Sequence, residues 1–213
     1  MPYEVKLTIY IIAAILVFGA LFFWLLFPPI RRKLYRNSYK RLYYNDVNRV
    51  VRNNDFYLIN GLSFDVGESQ TLTIDHLVGG DKYLYVIVDY YVEGTLKIDS
   101  RKPTSFLYVK GDTKLEIANP IQVVRHSMNK LSSISGIADD FLIGIVLINN
   151  DCNALPFENP DSAVNIVRLK DVSRFIENCE KAPVKPFRAK QLWQAIQDLH
   201  AIKENVKARK EQK

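Results

Sequence analysis

Residues 83–92 read YLYVIVDYYV. Val86, Ile87, Val88 and Val92 are β-branched, four tyrosines supply aromatic surface, and Asp89 is the one charged side chain. This composition suits a central strand covered on both faces rather than a half-solvated one. Covering both faces of a sheet calls for helices on either side, so the stretch predicts an α/β (α+β) fold.

Two further strands are predicted upstream. Residues 56–64, FYLINGLSF, end at the turn Asp65-Val66-Gly67-Glu68, and residues 71–78, TLTIDHLV, end at Gly79-Gly80. Turn residues of this kind punctuate strands because they accept tight backbone conformations. Downstream, residues 94–100 and 105–110 read as shorter strands around Pro103. Asn119 then offers an N-cap and Pro120 suits the first helical position, with Ile121, Val124, Met128 and Leu131 forming an apolar stripe. Residues 141–148, FLIGIVLI, and 164–169, VNIVRL, are two more strands, and 171–179 a short helix packed by Val172, Phe175 and Ile176. The proline-rich stretch 182–186 closes the domain. Leu192, Ile196, Leu199 and Val206 beyond it suggest an amphipathic helix with a basic end.

The N-terminal part has another character. Residues 7–27, LTIYIIAAILVFGALFFWLLF, contain no charge and no proline. As a helix at 1.5 Å per residue they would span about 31 Å, close to the hydrocarbon thickness of a bilayer. A core helix of a globular domain would show a polar face, and this stretch has none. A cleaved signal peptide fits less well: the apolar run is too long, the residues before it are nearly neutral, and Pro28-Pro29-Ile30-Arg31 does not look like a small-residue cleavage site. Arg31, Arg32, Lys33, Arg36, Lys40 and Arg41 follow directly. By the positive-inside rule they place the N-terminus outside and the remainder in the cytoplasm, as a single-pass protein of the cell membrane. Residues 31–54 form a basic amphipathic helix, with Tyr35, Tyr39, Leu42, Tyr43, Val47, Val50 and Val51 on one side. Pro28 and Pro29 are expected to break it from the membrane helix. The chain thus divides into an anchor (1–30), this helix (31–54), an α/β domain (55–181) and a linker with a basic helix (182–213).

Charge and cysteine content exclude more than they establish. The formal net charge is +6 over 213 residues. The juxtamembrane cluster and the tail after Cys179 supply much of the basic content, fitting membrane lipid or nucleic acid as a partner. Cys152 and Cys179 form no CxxC, which removes zinc ribbons and thioredoxin chemistry. No Walker A, GxGxxG or G-x-S-x-G motif occurs.

Ile74-Asp75-His76, the hydrophobic strand after it, Gly94, the Asn119-Pro120 helix start and residues 141–146 together resemble the nuclease-related domain (NERD) family. The likeness covers about residues 55–179. It implies a PD-(D/E)xK nuclease-like mixed sheet flanked by helices. It also implies a site in which two carboxylates hold Mg²⁺ and a lysine steadies charge at phosphorus. Asp75 matches the first carboxylate, but the family's Glu and Lys fall at Val88 and Tyr90. Asp89 is one residue off, and one residue along a strand reverses the side chain's face unless a β-bulge intervenes. The family's glutamine falls at Val123, and its Gly-x-x-Gly-Glu is missing near Tyr43-Tyr44-Asn45. The expectation is a catalytically inactive domain without a cofactor, serving in binding or scaffolding. Two alternatives stand beside it: an active Mg²⁺ nuclease using Asp75 and Asp89 as catalytic and metal residues, or an unrelated assembly factor docking a protein partner through its C-terminal helix. A carboxylate as buried as Asp89 should be needs a partner, for which a tyrosine hydroxyl, Lys97 or neighbouring backbone are candidates.

Overall fold

The computed structural model describes residues 3–65, 71–98, 104–154, 161–187 and 193–201. The chain divides into two compact units, Met1–Leu42 and Tyr43–Lys213. The division falls inside the segment 31–54 that the sequence assigns to one helix.

Helix α1 (Tyr3–Asn54) belongs to both units. The break expected at Pro28-Pro29 is absent, and the helix continues through both. Two adjacent prolines remove two neighbouring backbone hydrogen bonds, and ordinary bonding resumes on either side; such a lesion bends a helix more readily than it ends one. Among the described residues no helix is long and apolar enough to cross a membrane, so the spanning helix read from 7–27 is not supported by them. Side chains 4–7, 9 and 26 are outside the described set, leaving an uninterrupted run of 10–25, about 24 Å of helix. Along that run the apolar side chains stand exposed, Phe18 at 72% and Trp24 at 74%.

In the second unit, β1 (Tyr57–Asp65), β2 (Thr71–Gly79), β3 (Leu84–Tyr90), β4 (Thr95–Ile98), β5 (Ser105–Lys110) and β6 (Thr113–Ala118) precede α2 (Pro120–Ser135). Then come β7 (Leu142–Ile148), β8 (Asn153–Ala154), β9 (Val164–Arg168) and α3 (Val172–Glu180), and residues 193–201 form a last helix, α4. The main sheet has the order β1-β2-β3-β7-β9. Its first three strands are antiparallel neighbours, and β3, β7 and β9 run parallel. It is the mixed sheet flanked by helices that the sequence predicts. Of the second sheet, β6-β5-β4-β8, the sequence predicts only β4 and β5: β6 is a short strand, almost wholly exposed, in which only Leu115 and Ile117 alternate with charged residues.

One face of the main sheet carries α2. Asn119 caps it, its side chain accepting from the Ile121 amide at 2.9 Å, and Gly136 ends it in a left-handed conformation. Val124, Met128 and Leu131 are fully buried there, each contributing roughly 1.5–3 kcal/mol. The close approach needs Gly144 on β7, where an added Cβ would lie 2.6 Å from Val124 Cγ1 and 2.7 Å from Met128 Sδ. Buried Ile196 and Leu199 of α4 join this same core. Those two side chains of the helix's apolar stripe are spent inside the chain. Leu192 and Val206 lie outside the described residues.

The other face carries the end of α1 and α3. Tyr43, Val47, Val50 and Val51 are buried, and the Tyr43 hydroxyl donates to the Tyr90 carbonyl at 3.4 Å. Tyr85 donates to Glu180 Oε1 on α3 at 2.7 Å, and burial with that carboxylate raises its pKa. Cys152 and Cys179 are free thiols, burial pushing Cys152 up to about 11.

Candidate functional site

The site grows out of a fault shared by β1 and β2. Their ladder pairs Asn60 with His76 and Leu62 with Ile74, with Gly61 and Asp75 between. Core residues jump from Ile59 to Leu62 on one strand and from Leu77 to Ile74 on the other, a step of three where a regular strand gives two. Both strands therefore change face at this point. Gly61 takes φ +63, a conformation that glycine adopts without a Cβ penalty. The β2–β3 ladder begins at Gly79↔Leu84 and ends at His76↔Ile87.

Where that ladder ends, Asp75 replaces backbone with side chain. Its Oδ2 accepts from the Asp89 amide at 2.9 Å. Asp89 Oδ2 lies 3.1 Å from His76 Nε2, and His76 Nδ1 lies 2.6 Å from Asn60 Oδ1. His76 is 4% exposed and Asp89 8%. The Tyr44 ring stands 6.4 Å from the imidazole, centroid to centroid. An imidazole between a carboxylate and an amide oxygen must donate twice, unless Asn60 presents its NH₂ or Asp89 carries the proton. In each arrangement the ring holds Asp89 and Asn60 in register across three strands.

The structure thus brings the Asp75 carboxylate to the Asp89 backbone amide, by a route the sequence did not show, while the Asp89 carboxylate turns to His76. Asp89 remains on the face opposite Val88 and Tyr90, since β3 pairs with β7 without a bulge from Leu84↔Leu142 to Tyr90↔Ile148. Val88 and Tyr90, in place of the expected Glu and Lys, pack against the hydrophobic core. Burial raises the pKa of the Tyr90 phenol, keeping it neutral. Val123 is exposed on α2. The partner missed for Asp89 is His76, while Lys97 lies exposed on β4 of the other sheet. Strand alternation could have suggested it, because residues 76 and 89 share a face once the register 76↔87 is known.

Among the described residues no group of three or more His, Cys, Asp or Glu side chains is arranged to hold a metal ion. Of the basic cluster, Lys33, Arg36, Lys40 and Arg41 are exposed, and the side chains of Arg31 and Arg32 lie outside the described set.

No family profile, no curated protein and no solved structure matches the chain. The likeness to the nuclease-related domain family therefore rests on the quoted residues alone.

Proposed function

We propose that this chain is a membrane-tethered NERD-like domain that acts by binding rather than by hydrolysis. The observation that carries the second half is the commitment of Asp89 to His76 at 3.1 Å, deep in the sheet. A carboxylate engaged this way is poorly placed to give up its partner for Mg²⁺, which also demands near-octahedral oxygen ligands. Val88 and Tyr90 supply neither a second carboxylate nor a cation. The order of one helix, three antiparallel strands, a helix and a parallel strand agrees with a PD-(D/E)xK core but does not distinguish an active from an inactive member.

The tether is supported by the full run 7–27, about 31 Å of charge-free helix. It is also supported by the exposed apolar side chains along 10–25. Lipid is the surrounding that removes that surface from water. The cations from Arg31 to Arg41 then lie at the cytoplasmic head groups, where anionic lipid contributes about 1 kcal/mol for each.

The proximity of Asp75 to Asp89 favours one second reading, an active Mg²⁺ nuclease. Incubating residues 31–213 with DNA and RNA in Mg²⁺ or Mn²⁺ separates the two. No cleavage is expected; cleavage abolished in both Asp75→Ala and Asp89→Ala would establish the nuclease. Titration with nucleic acid at two salt concentrations checks the binding role, since contact through basic residues weakens steeply with salt.

A further inference from the structure

A second cavity, sharing no residue with the Asp75–Asp89 site, opens where β7 and β9 end. Asn150 follows β7, while Leu169, Lys170 and Ser173 follow β9 at its junction with α3. The opposite wall is one face of α1, with Asp46, Arg49, Val50 and Asn53 at the i, i+3, i+4, i+7 spacing. The cavity is open on one side and has a volume of about 280 Å³. In open α/β sheets, the carboxyl ends of parallel strands are where small ligands bind, because the connecting loops diverge there.

The lining has two characters. Val50, Leu169 and Val172 are buried and make an apolar floor. The rim carries the cations Arg49 and Lys170 and the amides of Asn53 and Asn150. Asn150 Oδ1 accepts from the Lys170 backbone amide at 2.8 Å, so the NH₂ end of that side chain is what remains to offer a ligand. Among the described residues Asp46 is the one acid on the lining, and it holds Arg49 at 3.2 Å. The Ser173 hydroxyl is engaged by Glu177 at 2.7 Å.

We infer that this cavity binds a small phosphate monoester, its dianion between Arg49 and Lys170 and its compact apolar body on the floor. The volume lies just under the usual range for small-molecule sites, which suits a compact ligand. Guanidinium and ammonium together suit a phosphate oxygen cluster, the one as a planar fork and the other as a point charge. The inference stands apart from the nuclease-like site and survives either outcome there.

The test uses the full chain in detergent micelles, titrated with phenyl phosphate and followed by calorimetry. Saturable binding is expected. The double variant Arg49→Glu, Lys170→Glu and, separately, the near-isosteric Asn150→Asp should each weaken it at least tenfold. Lys130→Glu on α2 should leave it unchanged, and circular dichroism checks that each variant folds. No saturable binding, or equal binding by the folded double variant, overturns the inference. Equal weakening by Lys130→Glu overturns it too, by showing a general charge effect.

Discussion

The Asp75 carboxylate accepts a hydrogen bond from the backbone amide of Asp89 at 2.9 Å, at the point where β2 and β3 cease to pair. A backbone amide that leaves a ladder needs another acceptor. Asp75 meets that need, and the two residues are brought together by a structural requirement before any catalytic one. Asp75→Ala should therefore lower stability by about 1–3 kcal/mol, through a buried amide losing its acceptor. Asp75→Asn, which keeps an acceptor oxygen, should cost clearly less. Chemical denaturation of both variants measures this; equal losses would refute the assigned role.

His76 and Asp89 form the buried half of the same network. Removing the ring in His76→Ala deprives the carboxylate of a partner and should destabilise by about 3 kcal/mol. Because a buried pair is non-additive, His76→Leu combined with Asp89→Leu should be less damaging than the sum of the single changes. A double-mutant cycle with zero coupling energy would contradict the pairing.

Gly94 takes φ +134, and an added Cβ would lie 2.4 Å from the Val109 carbonyl oxygen. Gly94→Ala should thus strain the backbone and push against β5, costing roughly 2 kcal/mol or more. Loss of thermal stability without loss of secondary structure is the expected outcome. An unchanged melting temperature would show that the strand yields.

Leu199 is fully buried on α4 within the main core. Leu199→Ala should destabilise by about 2–4 kcal/mol, the range for a large-to-small core change. Exposed Trp193, on the same helix, should tolerate alanine with a change below about 1 kcal/mol. Similar small effects at both positions would mean the helix does not dock on its own domain.

Arg125 on α2 binds Asp161 through both carboxylate oxygens, and that guanidinium holds the Asp161 carboxyl below the usual range. A carboxyl depressed in the folded state stabilises above its unfolded value, near 3.9, and that stability is lost as pH falls through the folded value. Asp161→Asn should accordingly cost about 0.5–1 kcal/mol at neutral pH. The gap from wild type should narrow below about pH 4. A gap that is constant from pH 7 to pH 3 would rule out the ion pair as its origin.

Strand composition and capping residues are local, and they made most of the fold legible. The unbroken apolar run at 84–88 marks β3, and Asn119-Pro120 marks the start of α2 to the residue. The helix over 7–27 follows likewise from residue type. β6 was not legible, because Thr113–Ala118 is held by pairing with β5 rather than by burial of its own side chains. What the tertiary structure alone decided is the neighbourhood of Asp75 and Asp89. Their meeting depends on a fault spread over two strands, with Gly61 on one and Asp75 on the other, and on the ladder ending at His76↔Ile87. Alternation along a single strand predicts which face a residue occupies only while the ladder is regular. The choice of His76 as the partner of Asp89 is a cross-strand distance, and such distances are set by register, which one strand does not encode by itself.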